Sequence, residues 1–265
     1  MSSMAFNLCN LPPWVIASQQ FNERPQPLRL QGVRDANRFL FAKLDTVENR
    51  DERGQIFSDY LSVKFQLHHH ENQTDSARKA LRNSYLRFLK GWMMDSNSVE
   101  GAVLKGWVES RIGIPPSYHN GCITDSSSDA HFRYLVDRTK GSKRSNAINA
   151  QFDLLYEYCQ YELQRCCSEQ QWLTLYRGTN GATEEQLLTQ LTRREQVVRL
   201  NNLVSFTDNE ERAWEFGATV WECKVPRAKI FFYDQLLPCS ILKGEGEYLV
   251  IGGDYRVRRI MCTIS

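Results

Sequence analysis

Near residue 170 the spacing of apolar side chains changes from three-and-four to two, and no other feature constrains the fold as much. Upstream, Asp35 to Leu44, Ile56-Phe57-Tyr60-Leu61 with Phe65, and Ala77-Leu81-Tyr85-Phe88-Trp92 each repeat with helical spacing. Asn97 with Glu100 predicts a capping box before a helix carrying Val103, Leu104, Trp107 and Val108. Residues 146 to 169 read as a longer helix with Ile148, Phe152, Leu155, Tyr156, Cys159 and Leu163 on one side. Residues 93–98, 114–121 and 126–128, the last with the basic residues 138–144, read as irregular connections. Downstream, strands are predicted over residues 172–178, 197–207, 219–225, 230–233, 247–251 and 255–263. Short helices are predicted behind a capping pattern at Thr183 to Gln186 and over Asp208 to Phe216, and Gly252-Gly253 reads as a hairpin turn. The first thirty residues, with Pro12, Pro13, Pro25 and Pro27, read as an extended arm whose apolar residues pack on the body. No repeat or clean linker interrupts the chain. The expected fold is α+β, one domain over residues 1–265, mainly helical over 1–170 and β-rich over 171–265.

Charge excludes some partners. With 33 basic and 31 acidic residues the formal net charge is +2, so no global field draws the chain to nucleic acid or a membrane surface. The eight cysteines show no C-x-x-C pair and read as free thiols of a reducing cytoplasm. No basic segment followed by an apolar run opens the sequence, so neither a signal peptide nor a membrane span is expected. His68-His69-His70 would fan over three faces of a helix, whereas ligands sharing a face need a spacing of three or four, so no metal site is expected there.

Chemistry concentrates in the β-rich part, where Tyr176-Arg177-Gly178, Ser205-Phe206-Thr207 and Glu245-Gly246-Glu247 follow one another in order. On a strand Glu245 and Glu247 would share a face about 6.5 Å apart, an arrangement that calls for a cation nearby. Arg177 offers such a cation and a phosphate ligand, and the hydroxyls of Ser205 and Thr207 offer short donors. Gly244-Glu245-Gly246 is no dinucleotide fingerprint, because Leu249 stands at the next glycine position and the motif opens a strand. Nor do two carboxylates on one strand flank a glycosidic bond well.

These three motifs resemble the R-S-E signature of mono-ADP-ribosyltransferases that modify arginine. Asp95-Ser96-Asn97, the run Glu100 to Arg111, Asn202 to Thr207 and Gly244 to Val250 resemble in particular the dinitrogenase reductase ADP-ribosyltransferase family, and the likeness extends from Leu11-Pro12 to the last strand. The resemblance implies a core of two packed, mostly antiparallel sheets behind the helical portion, and NAD as the substrate. It implies that Glu247 binds the nicotinamide-ribose 2′-hydroxyl and stabilises the cation formed at that ribose, and that Glu245 orients the incoming guanidinium. Arg177 would hold the NAD phosphates, Ser205 would fix Glu247, and Thr207, where the family pattern has a second serine, would support the same corner. Gly178 and Phe206 would share that pocket. Of the aromatic residues Phe206, Trp214, Phe216 and Tyr233, Phe216 is the choice for stacking on nicotinamide. The implied protein substrate is dinitrogenase reductase, the iron protein of nitrogenase, inactivated reversibly, with PII-type signalling proteins as regulators. The competing readings are an NAD glycohydrolase and an inactive module that binds NAD or a partner.

Overall fold

The computed structural model describes residues 7–67, 84–143, 147–166, 169–181, 184–238 and 246–261. Its helices are α1 (Pro13–Ile16), α2 (Gln19–Glu23), α3 (Val33–Ala36), α4 (Arg38–Asp45), α5 (Arg50–Lys64), α6 (Tyr85–Met94), α7 (Val99–Arg111), α8 (Asp129–Ser142), α9 (Ile148–Cys166) and α10 (Glu210–Ala213). The strands are β1 (Trp172–Thr179), β2 (Gln186–Gln190), β3 (Glu195–Thr207), β4 (Thr219–Pro226), β5 (Ile230–Tyr233) and β6 (Glu247–Ile260). All described pairings are antiparallel. No described helix is long and apolar enough to cross a membrane.

The sheet is organised by its two longest strands. β3 and β6, of 13 and 14 residues, pair from Glu195 opposite Arg258 to Thr207 opposite Glu247, with one register shift between Leu200 and Leu203. On the other side of β6, β5 pairs with its first half and β4 with its last residues. β1 pairs along β4 and meets the end of β3 where Tyr176 lies opposite Thr207. Among the described residues these pairings make one connected six-stranded sheet, where two sheets were expected. The reason is that β3 and β6 each run through both halves instead of ending at the middle.

The hairpin expected at Gly252-Gly253 is therefore absent, because β6 continues through both glycines. A Cβ on Gly252 would lie 1.7 Å from the carbonyl oxygen of Asn201, so this glycine lets β3 approach at the bulge. Gly253, at φ +116°, receives the N-terminal arm: the neighbouring Asp254 N–H donates to the Ala17 carbonyl (2.7 Å), and Asn22 Nδ2 donates to the Asp254 carbonyl (2.9 Å). The arm itself contains the short helices α1 and α2, so it is not simply extended.

Three further local expectations are revised. Residues 186–190, expected in a short helix, form the edge strand β2; Thr183 lies outside the described residues. The α7 cap is Ser98, whose Oγ accepts from the Gly101 N–H, while Glu100 pairs with Arg87. Arg138 lies in helix α8, capped by Ser128, instead of an irregular segment. The histidine run lies outside the described residues.

The helices cover the sheet around α9, whose Phe152, Leu155, Tyr156 and Cys159 are buried. Phe152 meets Phe231 of β5 edge-on at 5.9 Å, and Trp107 of α7 lies 4.7 Å from the same ring. Arg53 of α5 forms a buried bidentate pair with Glu162 of α9, both contacts at 2.6 Å.

Lys229, in the turn before β5, is buried beneath the bulge. Its Nζ donates to the Gly252 carbonyl (3.0 Å) and lies over the rings of Tyr255 (4.6 Å) and Phe21 (5.6 Å). Burial pushes its pKa down to about 7, while the facing Cys223 thiol is pushed up to about 12 and Tyr255 well above its usual range. An unfolded lysine holds its proton to about pH 10.4. Above pH 7 the unfolded chain thus binds more protons at this site, and its contribution to stability rises with pH. The unfolding free energy of the wild type relative to Lys229→Met, from urea titrations, should rise between roughly pH 7 and 9 by up to about 1.4 kcal/mol per unit. A pH-independent difference would contradict the assignment.

Candidate active site

Strand register gathers the sequence motifs. Thr207 pairs with Tyr176 on one side and Glu247 on the other, so the ends of β1, β3 and β6 lie together. Ser205, two residues before Thr207, is a diagonal cross-strand neighbour of Glu247. Its Oγ donates to Glu247 Oε1 at 2.5 Å. Both residues line a cleft of about 280 Å³ together with Tyr176, Arg177, Gly178, Phe206, Thr207 and Phe216. The opposite wall is the end of α6 and the following turn, Trp92 to Ser96.

Arg177 holds the floor. Its Nη1 donates to the Ser205 carbonyl (3.0 Å), and Nη2 pairs with Glu185 Oε1 (3.0 Å) and more distantly with Glu184 Oε2 (3.5 Å). Thr179 Oγ1 donates to the other oxygen of Glu185 (3.3 Å). The guanidinium is thus oriented by two carboxylates that the sequence analysis did not single out. Their signal is Glu184-Glu185 lying just beyond a strand arginine, but the capping pattern there predicts a helix.

The other candidates separate. Thr207 is buried and its Oγ1 accepts from the Asn209 N–H (3.2 Å), fixing the turn out of β3. Phe206 reaches the wall of the cleft, but it is 3% exposed and its ring belongs to the core, on the face of β3 opposite Ser205 and Thr207. Phe216 is 52% exposed on the cleft wall, in a 3-10 turn over Trp214–Phe216. Tyr233 instead stacks on Tyr248 at 5.7 Å, and neither it nor Trp214 lines the cleft. Glu245 lies outside the described residues. Gly246, at φ +58°, donates its N–H to Asp234 Oδ2 (2.9 Å), and the strand begins only at Glu247.

In the sequence Trp92 is one position of a helical repeat, yet its Nε1 donates to Ser205 Oγ (2.9 Å). Behind it Lys105 is buried, with Nζ donating to Asn97 Oδ1 and the Tyr118 carbonyl (both 3.0 Å) and lying 5.9 Å from the Trp92 ring. Burial lowers the Lys105 pKa to about 8.

Gly178 explains how Phe216 reaches the cleft. A Cβ there would lie 2.0 Å from the Ala213 carbonyl oxygen and 3.0 Å from the Phe216 carbonyl carbon, so only glycine lets the α10 segment sit on β1. Gly178→Ala should lower the unfolding free energy by about 1–3 kcal/mol in urea titration. An unchanged midpoint would show that this approach is not constrained.

The arrangement offers a carboxylate held by a serine, an oriented guanidinium and an exposed aromatic face around one cleft. Residues 6–259 match the family model for dinitrogenase reductase ADP-ribosyltransferase (DRAT). The chain is 43% identical over 258 residues to "NAD(+)--dinitrogen-reductase ADP-D-ribosyltransferase" of Rhodospirillum rubrum, covering 95% of this chain and 93% of that protein. No solved structure matches significantly. Since both matches run through every described element of the cleft, from α6 to β6, the chain belongs to the dinitrogenase reductase ADP-ribosyltransferase family.

Proposed function

We propose that this chain transfers the ADP-ribosyl group of NAD to an arginine of dinitrogenase reductase and thereby inactivates nitrogen fixation reversibly. The observation that carries the mechanism is the hydrogen bond from Ser205 to Glu247 at the cleft. In the reaction the bond between nicotinamide and ribose C1′ breaks, and its electron pair leaves with nicotinamide. Positive charge grows on the ribose, and an arginine nitrogen then bonds to C1′ and loses a proton.

Glu247 binds the ribose 2′-hydroxyl and stabilises that charge, the term a fixed carboxylate supplies best in a confined site. Ser205 holds it in place. Arg177 takes the NAD phosphates, exchanging part of its pairing with Glu184 and Glu185 for them, and Phe216 stacks on nicotinamide. Gly178, Phe206 and Thr207 shape the same pocket, Phe206 from the core behind it. Glu245 orients the acceptor guanidinium, which stays protonated at ordinary pH and needs a neighbouring carboxylate to become nucleophilic.

The whole chain works as one catalytic domain, the helical portion 1–170 bracing the β-rich portion 171–265, and the single buried core that spans both supports this. The bulge of β3 opposite Gly252 supports a division of the connected sheet into the two packed layers of an ADP-ribosyltransferase core. The protein acts in the cytoplasm, where the acceptor resides and where PII-type proteins regulate it; the buried thiols of Cys9, Cys159 and Cys223 support a reducing compartment.

Incubating dinitrogenase reductase with NAD and this protein should add one ADP-ribose per modified chain in an intact-mass measurement. Nicotinamide release without that gain would instead indicate a glycohydrolase, and NAD binding without turnover an inactive module. Glu245→Gln should lose arginine transfer by roughly 10²-fold while still releasing nicotinamide to water. Equal loss of both activities would remove Glu245 from acceptor activation.

A further inference from the structure

We infer that Trp92 is the positioning residue that sets the direction of the hydrogen bonds around Glu247, and with it the carboxylate's charge state. The inference rests on the reaction proposed above and extends it into the helical portion. An indole N–H can only donate, whereas a serine hydroxyl has a single proton to give and lone pairs to receive. Trp92 Nε1 donates to Ser205 Oγ at 2.9 Å, and Ser205 Oγ donates to Glu247 Oε1 at 2.5 Å. With the indole occupying one lone pair of the serine, the serine's own proton is directed at Glu247. In the reverse arrangement, a protonated Glu247 donating to Ser205, donors would fill both serine lone pairs and the serine proton would have to turn to a third acceptor, which Ser205 Oγ does not have among the described residues. The chain therefore favours ionised Glu247, the form that stabilises a developing ribosyl cation.

The indole can do this because it is held on several sides. α6 is tied at its start by the Tyr85 N–H donating to Gln151 Oε1 of α9 (3.0 Å), and Phe88 meets Phe152 edge-on at 5.7 Å. Next to Trp92, Gly91 lets α7 approach so closely that an added Cβ would lie 2.5 Å from the Glu100 Cβ. Lys105 of α7 stands 5.9 Å from the indole ring. Trp92 itself is buried in the core. Helices α6, α7 and α9 thus aim one N–H at the back of Ser205.

The test compares Trp92→Phe, which keeps an aromatic ring and removes the donor, with incorporation of 3-benzothienylalanine at position 92, which keeps the bicyclic shape and replaces N–H by sulfur. Nicotinamide release is measured under saturating and limiting NAD from pH 5 to 9. Both variants should lower kcat roughly three- to tenfold with KM for NAD nearly unchanged, and should move the acidic limb of the pH profile upward as Glu247 becomes easier to protonate. In a Ser205→Ala background the same replacement should cost nothing further, because the bond it removes has already lost its acceptor. Unchanged kcat in the benzothienyl variant overturns the inference, as does an equal loss in the Ser205→Ala background, which would mean that Trp92 acts through packing alone. Wild-type protein that releases no nicotinamide overturns the proposed reaction, and the inference with it.

Discussion

β3 and β6 stay paired from Glu195–Arg258 to Thr207–Glu247, and almost every feature of the cleft depends on that ladder. Register in a sheet is all or nothing, since a slip of one residue would turn Ser205 and Glu247 to opposite faces. The bulge is where the register is corrected, and it needs backbone so close that Gly252 has no room for a side chain. The N-terminal arm and buried Lys229 both bond to this point, through Ala17 and the Gly252 carbonyl. The far end of the molecule thus supports a register that is read out at the cleft.

The helical portion does more than cover the sheet. α6 contributes one wall, α7 and α9 hold α6, and the donor that reaches Ser205 comes from the helices. On the opposite side α10 and its 3-10 turn sit directly on β1 because Gly178 allows it, which brings Phe216 to the rim. Arg177 is preorganised by Glu185, itself buried and engaged by Thr179. The polar groups of the cleft are thereby held by partners outside it, which lowers the cost of arranging them when substrate binds.

Much of this was legible from residue types and period. The change near residue 170 separates helices from strands, and the order of arginine, serine and glutamate motifs points to the cleft. Three things were not legible, for physical reasons. Gly252-Gly253 has the local chemistry of a tight turn, and only its distant neighbours Asn201 and Ala17 make it the point of a continuous strand that faces the bulge of β3 and the N-terminal arm. Trp92 obeys a helical repeat that is identical whether the indole faces the core or the back of Ser205 at the cleft. Glu184 and Glu185 follow the threonine of a capping pattern, yet the pairing of β2 with β3 overrides the local helical preference. Phe206 differs from these, because strand alternation alone places its ring away from Ser205 and Thr207.

The central claim is that Glu247, held by Ser205, stabilises the ribosyl cation and contributes little to holding NAD. The most direct measurement is single-turnover nicotinamide release from enzyme saturated with NAD, comparing the wild type with Glu247→Gln, with NAD affinity measured separately by calorimetry. The rate should fall by roughly 10²–10³ while affinity changes little. A variant that releases nicotinamide at the wild-type rate, or one that loses activity only because NAD no longer binds, would contradict the account.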